Sequence, residues 1–142
     1  MASLIDTNIL VYRFDDRFPE KQRISTGIIR NGIRNSSVRI AHQAVVEFVA
    51  AVTRPSKGHS ILSQSDALRE AEELLNMIPV LYPNEVILRN AMRGAAAYQL
   101  NWFDAHMWSY AEYHGLDQIL TEDLQDGRIY GTVRVVNPFQ GI

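Results

Sequence analysis

The chain has 142 residues, 46% hydrophobic and 21% charged, with a formal net charge of −2 and no cysteine. Such totals suit one domain, residues 1–142, around a single core. They exclude disulfides and thiolate metal sites, give no global basic field for nucleic acid, and leave no apolar run of the ~18 residues that a membrane span needs.

The first apolar stretch, residues 2–6, reads as a short buried strand. It follows Met1 with no basic segment or small-residue cleavage site, so no signal peptide is expected and the cytoplasm is the default compartment. Phe18-Pro19-Glu20 starts a helix with proline in its first turn, and Ile24, Ile28 and Ile33 recur along it at roughly helical spacing. Residues 38–41 form a second strand. Residues 43–53 form a helix that stops before Pro55. Ser63-Gln64-Ser65-Asp66 has the form of a capping box, followed by one helical face of Leu68, Ala71, Leu74, Leu75 and Ile78. Residues 80–82 are a third strand between two prolines. Asn84 caps the next helix, whose inner face is Ile87, Leu88, Ala91, Ala95 and Tyr98. A further helix runs from about 103 to 114 and ends at Gly115, a natural residue to follow a helix. Residues 119–121 are a fourth strand and 133–136 a fifth. Strands separated by helices of this length predict an α/β fold, a mostly parallel five-stranded sheet flanked by helices. In such sheets ligands sit beyond the carboxyl ends of the strands.

Four acids stand out against this frame. Asp6 lies inside "SLIDTNILVY", where apolar residues press from both sides. Glu47 is the only charge in "AVVEFVAAV", Asp104 lies among aromatics in "NWFDAHMW", and Asp123 trails the fourth strand in "ILTEDLQDG", with Asp126 three residues on. Taking an unpaired carboxylate out of water costs several kcal/mol or raises its pKa. Asp6 and Asp123 both follow parallel strands, and Glu47 and Asp104 sit in early turns of helices that begin at the same edge, so the four can converge. Each also has a plainer reading. Asp104 could cap its helix with Asn101, Asp123 could be a turn residue, Asp6 could bind amides of a Thr7-Asn8 turn, and Glu47 could pair with an arginine. Like charges ~5 Å apart repel by ~3 kcal/mol at an effective dielectric of ~20. A converged cluster therefore holds protons or binds cations. Oxygen-only ligands favour a hard ion, Mg²⁺ or Mn²⁺, and phosphodiester hydrolysis is the natural chemistry for such a site.

These motifs together resemble the PIN-domain family, and within it the VapC-type toxins of toxin–antitoxin pairs. The resemblance rests on "LIDTNILVY", "VVEF", "WFDAHMW" and "ILTEDLQDG" followed by "VRVVNPF", and it covers essentially the whole chain; the closing motifs look especially close to one VapC-like subgroup. It implies a PIN-like sandwich and a Mg²⁺- or Mn²⁺-dependent endoribonuclease. Asp6, Glu47, Asp104 and Asp123 match the family's catalytic and metal-binding acids. Thr7 and Asn8 complete the first motif, Thr121 matches a supporting hydroxyl, and Asp126 is an accessory candidate. The resemblance also implies a homodimer and a cognate antitoxin that blocks the cleft.

Other features carry weaker signals. Of fourteen cationic residues only Lys21 and Lys57 are lysines; arginine suits bidentate phosphate contacts, and a GC-rich genome gives the same bias. Arg54 and Lys57, in "RPSKGHS", are candidates for RNA phosphates, or simply parts of a solvated loop. His42 and His106 flank the acids and read as helix residues more readily than as ligands. Trp102, Phe103 and Trp108 could stack bases or form core or a dimer surface. Gly27 and Gly32 suggest close packing. Two other functions stay open. One is a catalytically weak PIN-fold module that binds RNA or protein. The other is an acid-cluster phosphatase or receiver domain, which Asn8 two residues after Asp6, and Tyr82-Pro83 after the third strand, count against.

Overall fold

A computed structural model describes residues 2–142 of the chain. Its elements are β1 (Ser3–Ile5), α1 (Thr7–Tyr12), α2 (Pro19–Asn35), β2 (Val38–Ala41), α3 (His42–Thr53), α4 (Gln64–Met77), β3 (Val80–Leu81), α5 (Glu85–Tyr98), α6 (Trp102–Tyr113), β4 (Gln118–Leu120), β5 (Ile129–Tyr130) and β6 (Val133–Val136). The strands form one sheet in the order β3-β2-β1-β4-β6-β5. All neighbours run parallel except β5, which is antiparallel to β6. Among the described residues, no helix is long and apolar enough to cross a membrane.

The sheet therefore has six strands where five are expected. The addition, β5, is only two residues long, too short to show a periodicity of its own. Its place is set by long-range contacts: Tyr130 is buried, Trp108 Nε1 donates to its carbonyl at 2.9 Å, and the Tyr98 ring packs edge-on against it. A second departure is α1. Residues 7–12, for which the sequence suggested no element beyond a Thr7-Asn8 turn, make a short helix, and the Asp6 carboxylate caps it by accepting from Thr7 N at 2.7 Å.

β1 is buried along its whole length, and β2 almost so, because each lies between two parallel neighbours. The core gathers Leu4, Ile5, Ile9, Leu10, Ile40 and Phe48, all at 0% exposure. The α4 face is displaced from the expected one. Ala67, Ala71 and Leu74 are buried, whereas Leu68 and Leu75 are each 48% exposed. On α5, Ile87, Ala91 and Gly94 point inward and Leu88 is exposed. Gly94 allows α5 and α6 to touch, since a Cβ there would run into the Trp108 ring. Gly32 likewise accommodates Val38, but Gly27 has no neighbour near its Cβ position, so only one of those two helix glycines marks close packing.

The strand order has one consequence for function. The chain moves from β1 to β2 and β3 on one side, then returns to β4 on the other side of β1. The crevice at the carboxyl ends of β1 and β4 is the switch point where open parallel sheets bind ligands.

Candidate active site

Asp6 is the residue immediately after β1, and Thr121 and Asp123 follow β4. Parallel pairing of Ile5 with Leu120 holds the two exits side by side, and Asp6 N donates to Leu120 O at 3.0 Å. Asp6 is 9% exposed; its Oδ1 accepts from Thr7 N and its Oδ2 from Thr121 Oγ1 at 2.6 Å. The same hydroxyl accepts from Asp123 N at 3.1 Å, tying the two acidic segments together.

The other two acids come from helices. Glu47, in the second turn of α3, accepts from Thr7 Oγ1 at 2.7 Å and from Gln43 Nε2 at 3.3 Å. It pairs with no arginine among the described residues. Asp104 caps α6 reciprocally with Asn101: its N–H donates to Asn101 Oδ1 at 2.8 Å and Asn101 Nδ2 donates back to Asp104 Oδ2 at 2.6 Å. Capping and facing the cavity are thus not alternatives for Asp104, because the N-terminus of α6 opens onto it.

Asp6, Glu47, Asp104 and Asp123 line one cavity of about 500 Å³, with Thr7 and Asn8. Asn8 Nδ2 donates to Asp123 Oδ2 at 3.2 Å. Arg54 reaches the same cavity, while Lys57 lines a neighbouring one. Asp126 is outside both; it is exposed and accepts from Asn137 N at 2.8 Å, closing the turn after β6.

The acids affect one another. Burial pushes Asp6 up from 3.8 to about 6, against the lowering effect of its bonds to Thr121 and Thr7, and the charges of Asp123 and Asp104 add to the rise. Burial also raises Asp104, reinforced by Asp123 and Glu47. Asp123 is raised by burial, then by Glu122 beside it and by Glu47, with Asn8 and Lys21 opposing. Raised carboxyls facing one space are groups that favour a proton or a cation.

Among the described residues, no set of three or more His, Asp or Glu side chains is closed around a single ion's position as it stands. The donor chemistry nonetheless fits a hard divalent cation. Mg²⁺ takes one or two carboxylates and keeps several waters. Two further oxygens of the cavity's lining residues, Asn8 Oδ1 and Gln43 Oε1, are buried with no hydrogen-bond partner. Unpaired buried acceptors beside carboxylates suit an ion or its hydration shell.

Several lining residues had no clear signal in the sequence. Asp15, buried at 4% exposure, and Arg17 form an ion pair at 2.7 Å on the cavity wall. In "VYRFDDRF" the alternation of acids and arginines looks solvated. Tyr12 and Lys21 both bond Glu122, Lys21 at 2.7 Å, behind Asp123. Phe103 lines the cavity at 66% exposure, whereas Trp108 belongs to the core. His106 packs edge-on against Trp102, and His42 packs at a tilt against Tyr82. Neither histidine lines the cavity.

The PIN domain family profile matches residues 3–130. No curated protein sequence matches the chain significantly. Among solved structures, a toxin–antitoxin complex from Klebsiella pneumoniae is 18% identical, with a TM-score of 0.69 over 97% of this chain and 98% of its own. VapBC2 from Rickettsia felis, solved on a fragment of its promoter DNA, is 13% identical, with a TM-score of 0.68 over 95% and 97%. FitAcB from Neisseria gonorrhoeae is 18% identical, with a TM-score of 0.67 over 96% and 98%. At these identities the likeness is one of fold. A profile match over most of the chain, on a fold shared nearly end to end, makes this chain a member of the PIN domain family.

Proposed function

We propose that the chain is a Mg²⁺- or Mn²⁺-dependent endoribonuclease and the toxin of a type II toxin–antitoxin pair. The observation that carries this reading is the meeting of Asp6, Glu47, Asp104 and Asp123 in one cavity at the sheet's switch point. No ion pair among the described residues involves any of the four. Carboxylates left without cationic partners retain their charge for an ion from solution. Membership of the PIN domain family and the fold shared with toxin–antitoxin structures support the same reading.

In this reading Asp6 and Asp123, from the strand side, and Glu47 and Asp104, from the helix side, are the residues that would hold the metal. A bound divalent ion would supply Lewis acidity, activating water and neutralising charge at the scissile phosphate. Thr121 keeps the Asp6 and Asp123 segments in register through its bonds to both. Thr7 orients Glu47, and Asn8 orients Asp123. Asn101 fixes the Asp104 carboxylate at the N-terminus of α6. Arg54, on the wall of the cavity, contacts an RNA phosphate.

The test is cleavage of labelled RNA by wild type and Asp6→Asn in Mn²⁺, Mg²⁺ or EDTA. Cutting that needs the metal and disappears in Asp6→Asn supports the nuclease. Equal cutting in EDTA overturns it, and binding without cutting in any metal leaves a non-catalytic module. A toxin should also arrest growth on expression; a harmless wild type beside a toxic Asp6→Asn contradicts that role. Exposed apolar side chains on α4 and α5 (Leu68, Leu75, Val86, Leu88 and Met92) support a protein partner or a second copy of the chain. The proposed homodimer elutes at twice the chain mass in size-exclusion chromatography with light scattering.

A further inference from the structure

Beside the acidic cavity lies a second one, of about 670 Å³. The two share a wall, because Asp15, Arg17, Ala51 and Arg54 line both. Charge changes sign across this neck. On one side are the four metal-site acids. On the other, Lys57 and His59 join the two arginines. Asp16 also lines the second cavity, and Asp15 is already committed to Arg17.

Arg17 is held with unusual care for a surface residue. Asp15 is buried, and its carboxylate accepts from Arg17 N at 3.2 Å, from Nε at 2.8 Å and from Nη2 at 2.7 Å. The guanidinium also lies 5.5 Å from the centre of the Phe18 ring. Its side chain is nevertheless 60% exposed. A guanidinium fixed on one edge and open on the other has little rotamer freedom left to lose when it meets an anion. Burying a carboxylate for a surface ion pair brings little stability, so the arrangement makes most sense as preparation for a ligand. Arg54, the C-cap of α3, reaches the same neck from the opposite element.

We infer that the neck and the second cavity form a subsite for the single-stranded RNA flank next to the scissile phosphate. Arg17 and Arg54 hold backbone phosphates at the neck, and the second cavity receives the nucleotide beyond, with Lys57 and His59 at its side. The subsite rests on the nuclease reading of the first cavity and extends it. It assigns RNA recognition to Arg17, with Asp15 as the residue that positions it, and it makes the substrate an unpaired strand long enough to span both cavities.

The test is fluorescence anisotropy on the full chain in EDTA, with single-stranded RNA of ~4 and ~12 nucleotides, across a salt series. Arg17→Ala and Arg54→Ala should each raise the Kd for the longer RNA by about tenfold. Each should also flatten the plot of log K against log salt by about 0.7, the value for one lost phosphate contact on a single strand. Arg17→Lys keeps the charge without the fork; it should raise Kd and leave the slope near that of wild type. Arg93→Ala, on exposed α5, should change neither. Unchanged slopes and Kd in both alanine variants overturn the subsite even if Mn²⁺-dependent cleavage persists. Failure of wild type to bind the longer RNA at low salt overturns it as well. Binding with the expected slopes but no cleavage in Mn²⁺ supports the subsite and removes the nuclease reading.

Discussion

Replacing Asp6 by asparagine should make the metal-free protein more stable, and by an amount that depends on pH. Burial raises the Asp6 carboxyl from 3.8 to about 6 in the folded chain. Every tenfold gain in proton affinity on folding corresponds to ~1.4 kcal/mol between the protonated and ionised forms. The folded state holds this proton more tightly than the unfolded state, so stability falls as pH rises from about 4 to about 6. Above about pH 7 the penalty is complete, at ~3 kcal/mol. Asparagine has no charge to desolvate. Its amide oxygen can still accept from Thr7 N, but Thr121 loses a carboxylate acceptor, which costs ~1 kcal/mol. The net gain for Asp6→Asn is ~2 kcal/mol near pH 7.5, or about 7 °C in Tm for a chain of this length. Near pH 4.5 the carboxyl is mostly protonated in the fold and the two effects cancel to within ~1 kcal/mol. Thermal melts in EDTA across this pH range check it. A Tm difference that stays flat with pH, or a variant less stable near pH 7.5, would refute the claim that Asp6 is held ionised at a cost.

Other expectations follow from the same contacts. Millimolar Mn²⁺ should raise the Tm of wild type, because an ion that binds only the assembled acids stabilises the fold; Asp104→Asn should raise the metal-free Tm and weaken that response, and an unchanged response excludes Asp104 from the site. Lys21 bonds half-buried Glu122 and lies 4.9 Å from the Tyr12 ring and 5.4 Å from the Phe139 ring. Lys21→Met should therefore lower stability by ~1–2 kcal/mol, with much of the loss recovered in Lys21→Met/Glu122→Gln, as a double-mutant cycle by urea unfolding can measure. Gly94→Ala should destabilise by ~1–3 kcal/mol through its clash with Trp108, whereas Gly27→Ala, with open space at its Cβ position, should stabilise by ~0.5–1 kcal/mol. Equal effects at the two glycines would show that helix propensity alone governs both.

How far the sequence spoke depended on whether a signal was local. Val38 to Ala41, the capping residues Ser63, Asn84 and Asn101, and the stop before Pro55 are each set by neighbours in the chain, and the structure follows them closely. Helix α1 was hidden because Thr7 to Tyr12 is short and rich in β-branched residues, which look extended; it forms because Asp6 caps it and Ile9 and Leu10 are buried. On α4 the larger leucines suggested the inner face. The helix does bury Ala71, Leu74 and Ile78 as expected, but it turns the small Ala67 inward, toward its packing against α3, in place of Leu68 and Leu75. Asp6, Glu47 and Asp104 were legible because each is a charge in apolar or aromatic company, and Asp123 because it trails a strand at the sheet's ligand-binding edge. The Lys21–Glu122 and Tyr12–Glu122 bonds, across 101 and 110 positions of sequence, leave no such local mark.

The pairing of β1 with β4 also bears on how the protein comes to be made. Asp6 leaves the ribosome 115 positions ahead of its Thr121 partner. Until that stretch has emerged, β1 lacks one of its two neighbours and the pocket has only part of its wall. Contacts so distant in sequence also close slowly. Asp6 and Asp123 thus come together only once residues 118–123 have been made, and the pocket cannot be complete before then.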